Sequence, residues 1–129
     1  MARPPAKELT ERELEVMHEF WARGESTVAE VRDALAESGL DRAYTTVATL
    51  VRILTEKGFL VQTGDERPFT YKPAQSYEEV SRKLLDDVLD RVFRGSRELL
   101  LVRLMEQKTL SMRERKLLED ILREGGGRR

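Results

Sequence analysis

Three threonines, Thr45, Thr46 and Thr49, stand between Arg42 and Arg52 in a stretch where Val47, Leu50, Val51 and Leu54 recur at i, i+3, i+4 and i+7. That recurrence marks one buried helical stripe, and Gly58 after Lys57 supplies a stop, so a helix is expected over roughly residues 43–57 with Asp41 as its cap. At about 100° per residue from Val47, the outward arc holds Arg42, Thr45, Thr49, Arg52 and Glu56, with Thr46 and Ile53 on its flank. Threonines are poor helix formers. On an outward face their hydroxyls reach phosphates or base edges, and their methyls fit the thymine methyl. The alternative use is local: threonines that cap or back-bond the first turn, beside two arginines on a solvated surface.

Other chemistry finds little support. His18 is the only histidine and there is no cysteine, which removes thiolate metal centres, redox dithiols and cysteine nucleophiles. Asp86, Asp87 and Asp90 resemble a metal cluster by type, but on a long helix they read as a solvated face. The Gly125–Gly127 run lies at the chain's end with no strand before it or helix after it, so it is not a phosphate loop. No catalytic constellation, no cofactor and no metal are expected.

The elements that must position the threonine face announce themselves through capping boxes, in which a Ser or Thr and a Glu three residues later satisfy each other's backbone donors. Thr10 with Glu13 opens a first helix through Leu14, Met17, Phe20 and Trp21 to Gly24. Thr27 with Glu30 opens a second, with Val28, Val31 and Leu35 on one face and Gly39 beyond its end. After Gly58 the period changes: Phe59–Thr63 and Phe69–Lys72 are β-prone runs around Gly64-Asp65-Glu66-Arg67-Pro68, the composition of a hairpin turn. Ser76 with Glu79 starts a long helix ending near Gly95, Leu99 to Met105 form a shorter one, and Ser111 with Glu114 start a last one.

Three helices followed by a two-stranded ribbon is the order of a winged helix-turn-helix, whose third helix enters the DNA major groove. The expected fold is mainly α with a small β-hairpin: a winged-helix DNA-binding domain over residues 1–73, a helical dimerisation domain over 74–124 and a disordered tail at 125–129. Charge does not announce DNA binding. Residues 1–73 carry 10 basic and 13 acidic side chains, yet segment 42–72 carries five basic against three acidic, so the docking surface is positive although its domain is not. Arg67, in the turn of the wing, is the candidate for a phosphate or minor-groove contact.

The stretch Tyr44-Thr45-Thr46-Val47-Ala48-Thr49-Leu50-Val51-Arg52-Ile53-Leu54-Thr55-Glu56-Lys57-Gly58-Phe59-Leu60, preceded by Leu9-Thr10-Glu11-Arg12-Glu13-Leu14-Glu15-Val16-Met17 and Phe20-Trp21, closely resembles the penicillinase and methicillin-resistance repressor family. The resemblance covers nearly the whole chain. It implies a homodimer on a palindromic double-stranded DNA operator, held by the C-terminal helices and released when a signalling protease cuts within them. By match of motif the reading role falls on Thr45, Thr46 and Thr49. Ala48 stands where some members carry a basic residue, which implies a different operator. The Asn-Phe pair cut in the best-known members corresponds to Arg103-Leu104 here. The copper-responsive branch has a cysteine-rich tail, which this chain lacks.

The C-terminal segment supports a dimer independently, because its few helices carry apolar stripes too broad to bury alone. Leu85, Val88, Leu89, Val92, Leu100, Leu104, Leu118 and Ile121 are the expected dimerisation residues. The alternative is that these helices fold back on their own winged domain. No apolar run approaches the ~20 residues of a membrane helix and the N-terminus lacks a signal core, so a soluble, cytoplasmic protein is expected. Two rival functions remain at this stage: a winged helix used as a protein-interaction module, and a repressor that senses a small molecule, for which 6% aromatic residues is a sparse lining.

Overall fold

A computed structural model describes residues 8–126. Helix α1 (Glu11–Arg23), strand β1 (Ser26–Thr27), helices α2 (Val28–Glu37) and α3 (Tyr44–Lys57), and strands β2 (Leu60–Gln62) and β3 (Thr70–Pro73) come in that order. Helices α4 (Tyr77–Arg91), α5 (Arg97–Met105) and α6 (Met112–Gly126) follow. The fold is the mainly helical winged helix that the residue pattern implied.

Local signals decide where most helices start. All four capping boxes form, with Thr10/Glu13, Thr27/Glu30, Ser76/Glu79 and Ser111/Glu114 exchanging bonds of 2.8–3.1 Å. Ser96 caps α5 by accepting from the Leu99 amide, which starts that helix at Arg97, two residues before its apolar run. Asp41 does not cap α3. The helix begins at Tyr44, its N-cap is Ala43, and no side chain bonds to its first turn. Helix α4 stops at Arg91, short of Gly95, because Arg94 and Gly95 turn left-handed at φ 53° and 84° and the Gly95 amide returns to the Leu89 carbonyl. Gly125 and Gly126, expected in a disordered tail, close α6; the rest of that tail lies outside the described residues.

The ribbon has a third strand. β3 lies at the centre of an antiparallel sheet of order β1-β3-β2, pairing Ser26 with Tyr71 and Thr27 with Thr70 on one side, and Leu60 with Pro73 and Gln62 with Tyr71 on the other. The wing is thereby sewn to the turn between α1 and α2. Glu25 tightens the seam by accepting from the hydroxyls of Thr63 (2.6 Å) and Thr70 (3.1 Å).

The chain divides into two compact units between Leu84 and Leu85, inside α4. The first extends past Pro73, where the sequence suggested a boundary, because Val80 is buried in the winged-helix core and Leu84 packs against it. That core joins Val16, Met17 and Phe20 of α1, Val31 and Leu35 of α2, and Val47, Val51 and Leu54 of α3, with Phe59 and Leu60 closing it from the wing. Trp21 is half-buried and donates from Nε1 to the Gln75 carbonyl at 3.0 Å, tying α1 to the approach to α4. The second unit has few buried side chains among its described residues. Leu89 is the buried apolar residue there, while Leu85, Val88, Val92, Leu99, Val102, Met112, Leu117, Ile121 and Leu122 are exposed.

Among the described residues, the carboxyls of Glu13, Glu25 and Glu79 titrate below their ordinary value of 4.5. At Glu13 burial opposes ionisation, but the Thr10 amide and the Lys57 ammonium outweigh it. The Thr63 and Thr70 hydroxyls act on Glu25, and the Ser76 amide and hydroxyl on Glu79. A carboxyl whose folded pKa is depressed contributes stability above its unfolded pKa, and that contribution disappears as pH falls through the folded value. The melting temperature is therefore expected to be level near neutrality and to fall below pH 4.5. Glu13→Gln should shrink that fall when melting is followed by circular dichroism across pH; an unchanged fall would contradict the assignment.

Candidate nucleic-acid interface

Helix α3 turns Val47, Val51 and Leu54 into the core, which forces the intervening positions outward. Thr45, Thr49 and Arg52 are exposed and Thr46 is half-buried on the flank. Arg52 pairs with Glu56 one turn on at 3.0 Å, with both side chains more than 60% exposed, so it stays free to exchange partners.

Arg42 is different. Its Nε and Nη2 donate to Glu15 of α1 at 3.0–3.2 Å, and both side chains are largely covered. The helical projection put it on the outward arc because a wheel extrapolates past the helix end; Arg42 precedes Tyr44, and its side chain follows Glu15 instead.

Between α2, the start of α3 and the wing runs a groove of about 530 Å³. Thr27, Val28 and Ala29 form one wall, Tyr44 and Ala48 another, and Arg67 with Pro68, Phe69 and Tyr71 the third. No acidic side chain lines it, although the domain as a whole is net negative. Arg67 is exposed and its guanidinium lies 5.1 Å from the centre of the Phe69 ring, a cation–π contact that aims an otherwise flexible charge. Tyr44, 49% exposed across the groove, was not singled out from the sequence.

His18 is exposed and meets the rings of Trp21 at 5.5 Å and Tyr77 at 6.2 Å, an aromatic cluster. No group of three or more potential metal ligands occurs among the described residues. No described helix is long and apolar enough to cross a membrane.

Against this geometry, the profile of the penicillinase repressor family matches residues 9–124. The chain belongs to the penicillinase repressor family. It is 36% identical over 94 residues to the transcriptional regulator BlaI of Mycobacterium tuberculosis, covering 71% of this chain and 67% of that protein. It is 26% identical over 117 residues to the methicillin resistance regulatory protein MecI of Mammaliicoccus sciuri, covering 89% of this chain and 93% of that one. A looser likeness, 21% identical with a TM-score of 0.48, links it to the PcaV transcriptional regulator from Streptomyces coelicolor over 96% of this chain and 79% of that one. This penicillinase repressor family member is thus a DNA-binding transcriptional repressor; the BlaI it matches is a transcriptional regulator and the MecI a regulatory protein.

Of the expected dimerisation residues, Leu85, Val88, Val92 and Ile121 are exposed, Leu100, Leu104 and Leu118 are half-buried, and Leu89 is 7% exposed. Leu89 is therefore already covered within a single chain. Arg103 and Leu104 lie inside α5, where the exposed Arg103 reaches Glu106 at 3.4 Å.

Proposed function

We propose that the repressor acts as a homodimer on a two-fold-symmetric operator, each copy laying α3 in the major groove and its wing against the neighbouring backbone or minor groove. Thr45, Thr46 and Thr49 read base edges, Arg52 supports them, and Arg67 binds phosphate or enters the minor groove. The observation that carries this reading is the exposed threonine face of α3 beside a groove without acidic side chains, ending in the aimed guanidinium of Arg67. The apolar side chains exposed on α4, α5 and α6 favour a second copy of the chain as their cover. Release follows from cleavage within α5 between Arg103 and Leu104 by a signalling protease, because severing that helix divides the dimer surface and removes the gain from binding two half-sites at once.

Binding to a duplex from the protein's own promoter region, measured by fluorescence anisotropy at several salt concentrations, tests the reading. Thr49→Ala is expected to relax sequence preference. Arg67→Ala is expected to weaken binding to all duplexes alike and to flatten the salt slope by about one unit. Footprints on an asymmetric site, or binding indifferent to salt, would overturn it.

A further inference from the structure

The reading helix is held in an unusual way. Of the six described helices, α3 lacks a side-chain bond at its start, whereas Thr10, Thr27, Ser76, Ser96 and Ser111 cap the other five. In place of a cap, Arg42 forks onto both oxygens of Glu15 just before α3 begins. At the opposite end Lys57, the last residue of α3, donates from Nζ to both oxygens of Glu13 at 2.9 and 3.2 Å and to the Glu8 carbonyl at 2.9 Å. Glu13 and Glu15 sit two positions apart on α1. One short segment of α1 thus grips both ends of the helix that carries Thr45, Thr46, Thr49 and Arg52.

We propose that Glu13 and Glu15, through Lys57 and Arg42, are positioning residues that set the pose of α3 and thereby the sequence discrimination of the repressor. The inference rests on α3 reading DNA and assigns Arg42 a role in specificity without contact to nucleic acid. Val47, Val51 and Leu54 already hold α3 onto the domain, but an apolar stripe is non-directional and tolerates small rotations. At ~1.5 Å per residue α3 is ~20 Å long, so a tilt of ~5° about one end moves the other by ~2 Å, beyond the tolerance of a base-edge hydrogen bond. Two directional contacts at opposite ends remove that freedom. The Arg–carboxylate fork also fixes orientation, which a single point contact does not.

The test uses the full chain, an operator duplex and a scrambled duplex of equal length, with anisotropy read well below the melting temperature. Arg42→Ala and Glu15→Ala are each expected to lower the operator-to-scrambled affinity ratio about tenfold. For Arg42→Ala, the scrambled-duplex affinity and the salt slope should stay unchanged. Arg42→Lys, which keeps the charge and loses the fork, should give an intermediate ratio, and the exchanged pair Glu15→Arg with Arg42→Glu should restore most of it. If Arg42→Ala weakens both duplexes equally and lowers the salt slope by about one unit, Arg42 touches phosphate and the inference falls. It falls also if the ratio holds in both alanine variants while Thr49→Ala loses discrimination. Should Thr49→Ala and Arg67→Ala leave binding untouched, α3 does not read DNA and the underlying reading fails instead.

Discussion

A chain ending at Leu84 is expected to bind a two-fold-symmetric operator duplex about 10²–10⁴-fold more weakly than the full chain, because two half-sites would no longer be engaged by one linked pair of reading helices. The cut belongs after Leu84 for a physical reason. Val80 is 3% exposed in the winged-helix core and Leu84 packs beside it, so a chain ending at Pro73 would lose core as well as dimer and would confuse the two effects. With residues 8–84 retained, α1, α2, α3, the sheet and the Trp21–Gln75 bond all remain. Circular dichroism should show a folded domain, sedimentation a monomer, and anisotropy the loss in affinity. A full chain that sediments as a monomer at tens of micromolar, or a shortened chain that binds as tightly as the whole, would contradict the homodimer.

Phe20→Ala should destabilise the winged-helix unit by about 3–5 kcal/mol, the usual cost of emptying a buried aromatic site. Phe20 is fully buried and belongs to a cluster formed by α1, α2 and α3 together with Phe59, Leu60 and Val80, so no single element can collapse to fill the void. Small domains are stable by only about 5–15 kcal/mol, and such a loss would leave much of the unit unfolded on warming. Urea titration followed by tryptophan fluorescence measures it directly, since Trp21 adjoins Phe20 in sequence. A shift below about 1 kcal/mol would mean that the core is looser than its burial implies.

What the sequence revealed and what it concealed divides along the range of the interactions. The boxes at Thr10, Thr27, Ser76 and Ser111 were legible because each needs only a hydroxyl and a carboxylate three positions apart, and each formed as written. The buried stripe Val47, Val51 and Leu54 was legible for the same reason. β1 was not: two residues, Ser26 and Thr27, become a strand only because Tyr71 and Thr70 arrive from more than forty positions away. The Arg42–Glu15 fork was hidden on the same ground, since a place on a helical wheel says nothing of a partner 27 positions earlier. Tyr44 and the groove it lines depend on the wing folding back towards α2, which no local pattern encodes.

The central place of β3 has a consequence for how safely the wing can be displayed. A strand edge offers unpaired amides and carbonyls that invite another chain to add on, and proteins guard against this by keeping edge strands short. Here the longest strand, Thr70–Pro73, is shielded on both sides, and the edges left open belong to strands of two and three residues. Neither edge offers enough consecutive backbone groups to nucleate the growth of a larger sheet. A wing exposed to solvent for meeting nucleic acid is in this way kept from becoming a seed for aggregation.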